Sequence, residues 1–141
     1  MKRMISLWCW SFVLMGYSYG QHSAKNFPAW EPGFLDIHHI NTGSGDSTFM
    51  IFPDGTTLLF DAGTLDKAGF EAKYAPLRAT APVPNDGKSP AQWIAQYLEH
   101  HHPNLGGERT LDYVLVSHFH SDHYGSIPEL GRLVPMKKVI D

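Results

Sequence analysis

The chain has 141 residues, of which 43% are hydrophobic and 18% are charged. This length and composition indicate one small globular domain and not a disordered chain. The net charge is −3 and no run of lysine and arginine is present, so the sequence carries no strong signature of nucleic-acid binding.

Residues 1–20 have the pattern of a secretory signal peptide. Two basic residues precede an apolar run over 4–15, and small residues at positions 18 and 20 precede a cleavage site before Gln21. We therefore expect a secreted or periplasmic protein with no stable membrane anchor after cleavage. The alternatives are an uncleaved anchor, although the run is shorter than the ~20 apolar residues of a transmembrane helix, and a lipoprotein cut at Cys9.

Cleavage before Gln21 would also remove Cys9, the single cysteine of the chain. The mature protein would then have no disulfide bond and no thiolate ligand. Any bound metal would have to be held by histidine and carboxylate side chains.

After an irregular lead-in over 21–32, the remaining residues, 33–141, are predicted to form one α+β domain. Strands are predicted over 33–40, 47–52 and 56–60. Pro53-Asp54-Gly55 provides a tight turn, so the second and third strands should form a hairpin. Residues 64–88 contain several prolines and a turn sequence, and we expect an irregular excursion at the rim of the domain.

The second half of the domain continues with a helix over 90–101, for which Ser89 is the expected N-cap and Pro90 the first helical residue. A near-continuous apolar stretch over 111–117 predicts a buried strand. Ser126 and Pro128 start a short predicted helix that runs to about Leu133, and a strand over 137–140 follows. His38 and His39 are adjacent in the first strand, so one should pack and one should face solvent. The histidines at 100–102 are expected to be solvated.

The sequence His118-Phe119-His120-Ser121-Asp122-His123 directly follows the predicted buried strand. In an extended segment, side chains two residues apart point to the same side, so His118 and His120 can bind one metal ion. Asp122 and His123 lie where the chain bends and can reach a second ion. Two such ions roughly 3.5–4 Å apart can share a bridging hydroxide. Asp122 is the expected catalytic residue, orienting that hydroxide and passing its proton to the leaving group.

The segment 111–125, LDYVLVSHFHSDHYG, resembles the metal-binding motif of the metallo-β-lactamase superfamily. The turn at Gly45-Asp46-Ser47, the turn at 53–55 and the segment 58–63, LLFDAG, resemble the opening of that fold. Within the superfamily, the pattern is most similar to the group that contains the hydrolase domain of ComEC-type DNA-uptake proteins.

The resemblance implies an αββα sandwich with a dinuclear zinc site at one edge, manganese being the alternative metal. It implies His118 and His120 on the first ion and Asp122 and His123 on the second. Asp61 matches an aspartate that accepts a hydrogen bond from a ligand histidine. The alternative for Asp61 is a turn residue. Asp46 matches the glycine-aspartate turn of the family and lies near the site or forms a simple Asx-turn.

The family completes this site with downstream histidine and aspartate ligands, and no histidine follows His123. We therefore expect the chain to be the N-terminal half of the sandwich, and inactive by itself. The leading function is a secreted metal-dependent hydrolase whose substrate is a small molecule or a phosphodiester. The alternatives are a thiol-free dinuclear β-lactam or lactone hydrolase and a non-catalytic metal-binding fragment. The oligomeric state does not follow from the sequence.

Overall fold

The computed structural model describes residues 27–43, 45–64, 66–79, 81–103 and 108–141. The predicted signal peptide, 1–20, lies outside the described residues. The described part of the lead-in, 27–32, contains neither helix nor strand. None of the helices in the described ranges is long and apolar enough to cross a membrane.

The secondary structure, over the described residues, alternates short strands with helices. The elements are β1 (Asp36–His39), β2 (Thr48–Ile51), β3 (Thr57–Phe60), α1 (Lys67–Lys73), α2 (Pro90–His101), β4 (Leu111–Leu115), α3 (Ser121–Tyr124), α4 (Ile127–Leu133) and β5 (Met136–Ile140). The strands form one five-stranded sheet in the order β1-β2-β3-β4-β5. The first three strands pair antiparallel, whereas β4 pairs parallel with both β3 and β5. This mixed sheet with helices is consistent with the predicted α+β class.

The predicted hairpin is confirmed. The Gly55 amide donates to the Phe52 carbonyl at 2.8 Å, which closes the turn between β2 and β3. Gly55 has φ 85, a left-handed conformation that glycine adopts without steric cost. The turn sets the register in which Phe49 lies opposite Leu59.

Helix α2 occupies the predicted range, because its start is specified locally. The Ser89 side chain accepts a hydrogen bond from the Gln92 amide, and the Gln92 side chain accepts one from the Ser89 amide. This capping box satisfies backbone N–H groups that would otherwise lack partners, and Pro90 needs none. The apolar positions Ile94 and Leu98 then fall on one buried face.

One face of the sheet is covered by α2 and α4. The buried side chains Phe49, Leu59 and Val114 lie opposite one another on adjacent strands. They belong to the same hydrophobic core as Leu98 of α2 and Leu130 of α4. Each buried large side chain contributes about 1.5–3 kcal/mol to the hydrophobic stabilisation of the fold. The core therefore holds the ends of β3 and β4 in a fixed relation.

Three expectations about these elements were wrong. The strand predicted over 111–117 ends at Leu115, and Tyr113 is 37% exposed, so β4 is covered on one face only among the described residues. The excursion over 64–88 contains α1, which begins where the Asp66 side chain accepts from the Gly69 amide. Asp122 and His123 lie in the short helix α3, where we had expected only a bend.

The other histidines that the structure describes, at 38, 39 and 100–102, contact residues outside the metal motif. His38 packs against Phe49 and Tyr97, whereas His39 is exposed, which confirms the expected division. The expectation of a solvated run at 100–102 was only partly right. His101 contacts His38, with ring centroids 5.0 Å apart, and the His102 ring hydrogen-bonds backbone carbonyls.

Candidate metal centre

The histidine motif lies at the carboxyl ends of two parallel strands. Asp61 directly follows β3, and the segment 117–123 follows β4. Because β3 and β4 are parallel, both chain segments leave the sheet at the same edge. The carboxyl edge of parallel strands is where ligands usually bind in open sheets.

Asp61 is held in an unusual backbone conformation at this edge. Its φ is 57, it is fully buried, and its amide donates to the Leu115 carbonyl at 2.8 Å. Few residues other than glycine adopt a positive φ, and aspartate is among those that tolerate it. The conformation turns the chain sharply, so that the side chain faces the loop after β4 and not solvent.

The Asp61 carboxylate accepts hydrogen bonds from Ser117 and His123. The Ser117 amide lies 2.8 Å from Oδ1, and the Ser117 hydroxyl lies 2.7 Å from Oδ2. His123 Nδ1 lies 2.8 Å from Oδ2. Burial alone would raise the pKa of Asp61, but the hydrogen bonds from Ser117 and His123 outweigh it and lower the pKa. Asp61 is therefore an ionised acceptor, and His123 Nδ1 is the donor to it.

This hydrogen bond leaves the other ring nitrogen of His123 available. It also raises the pKa of His123, because the Asp61 carboxylate stabilises the protonated ring. His123 Nε2 lies 3.8 Å from Asp122 Oδ2, and the His123 side chain is 18% exposed. In the neutral ring, Nε2 carries a lone pair directed towards the same space as the Asp122 carboxylate.

Three of the four motif residues form a compact group of possible ligands. One ligand atom each from His118, Asp122 and His123 lies within 4.8 Å of the others. The ring centroids of His118 and His123 are 4.0 Å apart, and those of His118 and His120 are 4.7 Å apart. The sequence predicted His118 and His120 as ligands of the same ion, whereas the observed group places His118 with Asp122 and His123. The assignment of each side chain to an ion remains a prediction.

The backbone of α3 is packed tightly against two glycines. The Asp46 amide donates to the Asp122 carbonyl at 3.1 Å, and the Ala62 amide donates to the His123 carbonyl at 2.8 Å. A Cβ atom on Gly45 would lie 1.6 Å from the Asp122 carbonyl oxygen, and one on Gly63 would lie 2.0 Å from it. Only glycine fits at either position, so the two turns define where the Asp122 backbone lies.

The donor set suits the expected metal. Imidazole nitrogen and carboxylate oxygen, with no thiolate, are ligands that zinc accepts and that manganese also tolerates. The buried carboxylate behind His123 fixes the ring tautomer in the way that ligand histidines require. Asp46 lies close enough to His123 for its charge to raise the pKa of that ring.

Two contributions to this site were not anticipated from the sequence. Ser117 was assigned only to the end of a strand, and Gly63 only to the segment 58–63 that resembles the opening of the fold. The neighbouring motif could have drawn attention to Ser117. Nothing in the local sequence shows that Asp61 would reach it, since 56 residues separate the two.

Comparison with known proteins identifies the family of the chain. A search of curated proteins found no match to the chain. The family profile described as metallo-beta-lactamase superfamily matches residues 41–141, which include β2 to β5 and every residue of the candidate site. Since the match covers well over half of the sequence, the chain belongs to the metallo-beta-lactamase superfamily.

Proposed function

We propose that this protein is a metal-dependent hydrolase whose site is built on His118, His120, Asp122 and His123. The observation that carries the proposal is the convergence of three ligand atoms within 4.8 Å of one another. They lie beside the buried Asp61 carboxylate, which accepts hydrogen bonds from the Ser117 hydroxyl and from His123 Nδ1. Membership of a superfamily composed largely of hydrolases supports the reaction class.

Zinc bound here would supply Lewis acidity and would lower the pKa of water in the site. His118 and His123 would hold it through ring nitrogen atoms. Asp61 keeps the His123 ring in the tautomer that a ligand needs. Asp122 is the group placed to take a proton from water and to deliver it to the leaving group, since its side chain is 45% exposed and adjoins His123 Nε2.

The proposed substrate is a small phosphodiester, following the similarity of the 45–63 segment to the ComEC-type group. A dinuclear site, with His120 contributing to one of the two ions, belongs to the same proposal. Hydrolysis of a β-lactam or lactone is the second candidate, because the histidine-aspartate ligand set contains no thiolate. We also propose export from the cytoplasm, on the basis of the sequence pattern over 1–20.

We further propose that the sheet corresponds to one sheet of an αββα sandwich. Its face opposite α2 and α4 carries an apolar row in register, Ile37 opposite Met50, Met50 opposite Leu58, and Leu58 opposite Tyr113. Ile37 is 50% exposed. A second sheet packed on this row would bury it, as the inner faces of sandwich proteins require.

The test is zinc binding and hydrolysis by the intact protein, with any further ligands that it supplies to the site, and by variants of that protein. Zinc affinity and stoichiometry are measured by competition with a chromogenic chelator. Turnover is measured with bis-p-nitrophenyl phosphate and with nitrocefin. His118→Ala and Asp122→Ala should each weaken zinc binding at least about 10-fold and abolish turnover. His100→Ala is the matched control, because it removes an exposed imidazole on α2 and should change neither quantity.

Each outcome selects one function. Turnover of the phosphodiester supports the proposal, whereas turnover of nitrocefin alone supports the lactam or lactone alternative. Zinc binding by the intact protein without turnover of either substrate supports a non-catalytic metal-binding protein. Unchanged zinc affinity in both ligand variants would refute the site itself.

A further inference from the structure

The Ser117 hydroxyl lies between the buried carboxylate and two imidazole rings. Ser117 Oγ is 2.7 Å from Asp61 Oδ2, 3.1 Å from His118 Nδ1 and 3.4 Å from His123 Nδ1. The longest of these distances joins two atoms that both have closer partners. The contacts that matter are therefore those to Asp61 and His118.

A hydroxyl has one proton to donate and lone pairs with which to accept. The Asp61 oxygens receive the Ser117 amide on Oδ1 and His123 Nδ1 on Oδ2. An oxygen atom of the ionised carboxylate carries no proton, so it can only accept a hydrogen bond from the Ser117 hydroxyl. A hydrogen bond to a carboxylate is also roughly twice as strong as one to a neutral acceptor. The Ser117 proton therefore points to Asp61.

With its proton directed to Asp61, Ser117 Oγ can only accept at its remaining contact. His118 Nδ1 must then carry a proton and donate it to Ser117. The same protonation at Nδ1 is imposed on His123 by Asp61 directly. In both rings, Nε2 is left as the atom with the free lone pair.

We propose that Ser117 is a positioning residue that carries the tautomer preference of Asp61 to His118, so that one buried carboxylate sets two imidazole rings. This inference deepens the proposed function and rests on it only for the identity of the ligand. His120 lies outside this hydrogen-bonded chain, because in the described residues its ring contacts His118 but has no hydrogen-bond partner.

The direct test is the tautomer of each histidine in the metal-free chain. Two-bond proton–nitrogen NMR correlations at mildly alkaline pH distinguish a ring protonated at Nδ1 from one protonated at Nε2. In the unaltered protein, His118 and His123 should both carry the proton at Nδ1. A His118 ring protonated at Nε2 would overturn the proposal without any variant, and it would do so whether or not zinc binds.

Variants separate positioning from a general loss of structure. In Ser117→Ala, His118 should shift towards the Nε2-protonated form, whereas His123 should keep its tautomer because its bond to Asp61 is direct. Ser117→Thr retains the hydroxyl and should restore the Nδ1 form of His118. Ser126→Ala is the matched control, since it removes a buried serine hydroxyl bond to the Gly63 carbonyl in the same region. It should leave both tautomers unchanged.

Zinc affinity provides the second measurement. Loss of an outer partner of a ligand histidine typically weakens metal binding about 10–100-fold, and Ser117→Ala should fall in that range while Ser117→Thr stays close to the unaltered protein. Equal zinc affinity in Ser117→Ala and the unaltered protein would refute a positioning role. If the unaltered chain binds no zinc, the proposed function fails, while the NMR tautomers still decide the role of Ser117.

Discussion

Replacing single glycines would test whether the backbone cradle around Asp122 sets the metal site. Three glycines form a matched set. Gly33 has φ +92, and no atom of the described residues lies within 4 Å of the position that a Cβ atom would occupy, so alanine there should suffer only backbone strain. Gly63 has no left-handed φ, and its Cβ would lie 2.0 Å from the Asp122 carbonyl oxygen. Gly45 combines φ +91 with a contact of 1.6 Å to the same atom.

The structure sets the size of each effect. Strain at a left-handed position costs an alanine about 1–2 kcal/mol, so Gly33→Ala should lower the midpoint of thermal unfolding by about 4–8 °C. An ordinary contact between heavy atoms is about 3.5 Å, so Gly45→Ala must displace the Asp122 carbonyl by about 2 Å. Metal–ligand distances tolerate changes of only about 0.2 Å. Gly45→Ala and Gly63→Ala should therefore weaken zinc binding by at least about 10-fold.

The measurements are thermal unfolding of the metal-free variants and zinc affinity by chelator competition. Zinc affinity should remain unchanged in Gly33→Ala despite its lower stability. Gly63→Ala should lose affinity although its backbone carries no left-handed strain. The reasoning is refuted if Gly45→Ala and Gly63→Ala bind zinc as tightly as the unaltered protein, or if Gly33→Ala weakens binding as much as they do.

Two further predictions concern stability away from the metal. Burial raises the pKa of Asp112, but hydrogen bonds from Lys137 and Thr57 outweigh it and lower the pKa below the ordinary value of 3.8. The stability that the ionised Asp112 carboxylate contributes is therefore present above pH 3.8 and is lost as the pH falls through the lower pKa of the folded state. Asp112→Asn should thus reduce the urea-unfolding free energy at neutral pH and lose most of that deficit in strong acid; a deficit independent of pH would contradict this. Ser89→Ala removes the N-cap of α2 and the 2.7 Å hydrogen bond to Glu129 on α4. It should lower the free energy of urea unfolding by about 1 kcal/mol or more, and no measurable change would show that the cap is dispensable.

Most of the fold could be predicted because its elements are specified locally. The turn at 53–55 fixes the β2–β3 hairpin, and Ser89 with Pro90 fixes the start of α2. The structure confirms both. The helix α1 was missed because the prolines and turn residues of 64–88 outweighed the short helical segment, whose start depends on the single side chain of Asp66.

The site could be predicted in its residues but not in its arrangement. The spacing of His118, Asp122 and His123 indicated metal binding, and the structure brings these three together. The strand predicted through Ser117 ends at Leu115, and the backbone bends at 117, 119 and 120, although the His118 and His120 rings still lie 4.7 Å apart. Which imidazole lies nearest which carboxylate is decided by contacts with Asp61, far away in sequence, and local periodicity carries no information about them.

The left-handed turn at Asp61 directs its carboxylate to partners far along the chain, and these contacts bear on the order of folding. The hydrogen bonds that orient His123 and Ser117 join residues 62 and 56 positions apart in the chain. Closing such long loops costs chain entropy, and the contacts formed when β4 pairs with β3 offset that loss. Before that pairing, the motif is a string of histidines without a fixed tautomer or spacing. Tight metal uptake should therefore follow formation of the β3–β4 pair, and an ion added to the unfolded chain should not direct the strands together.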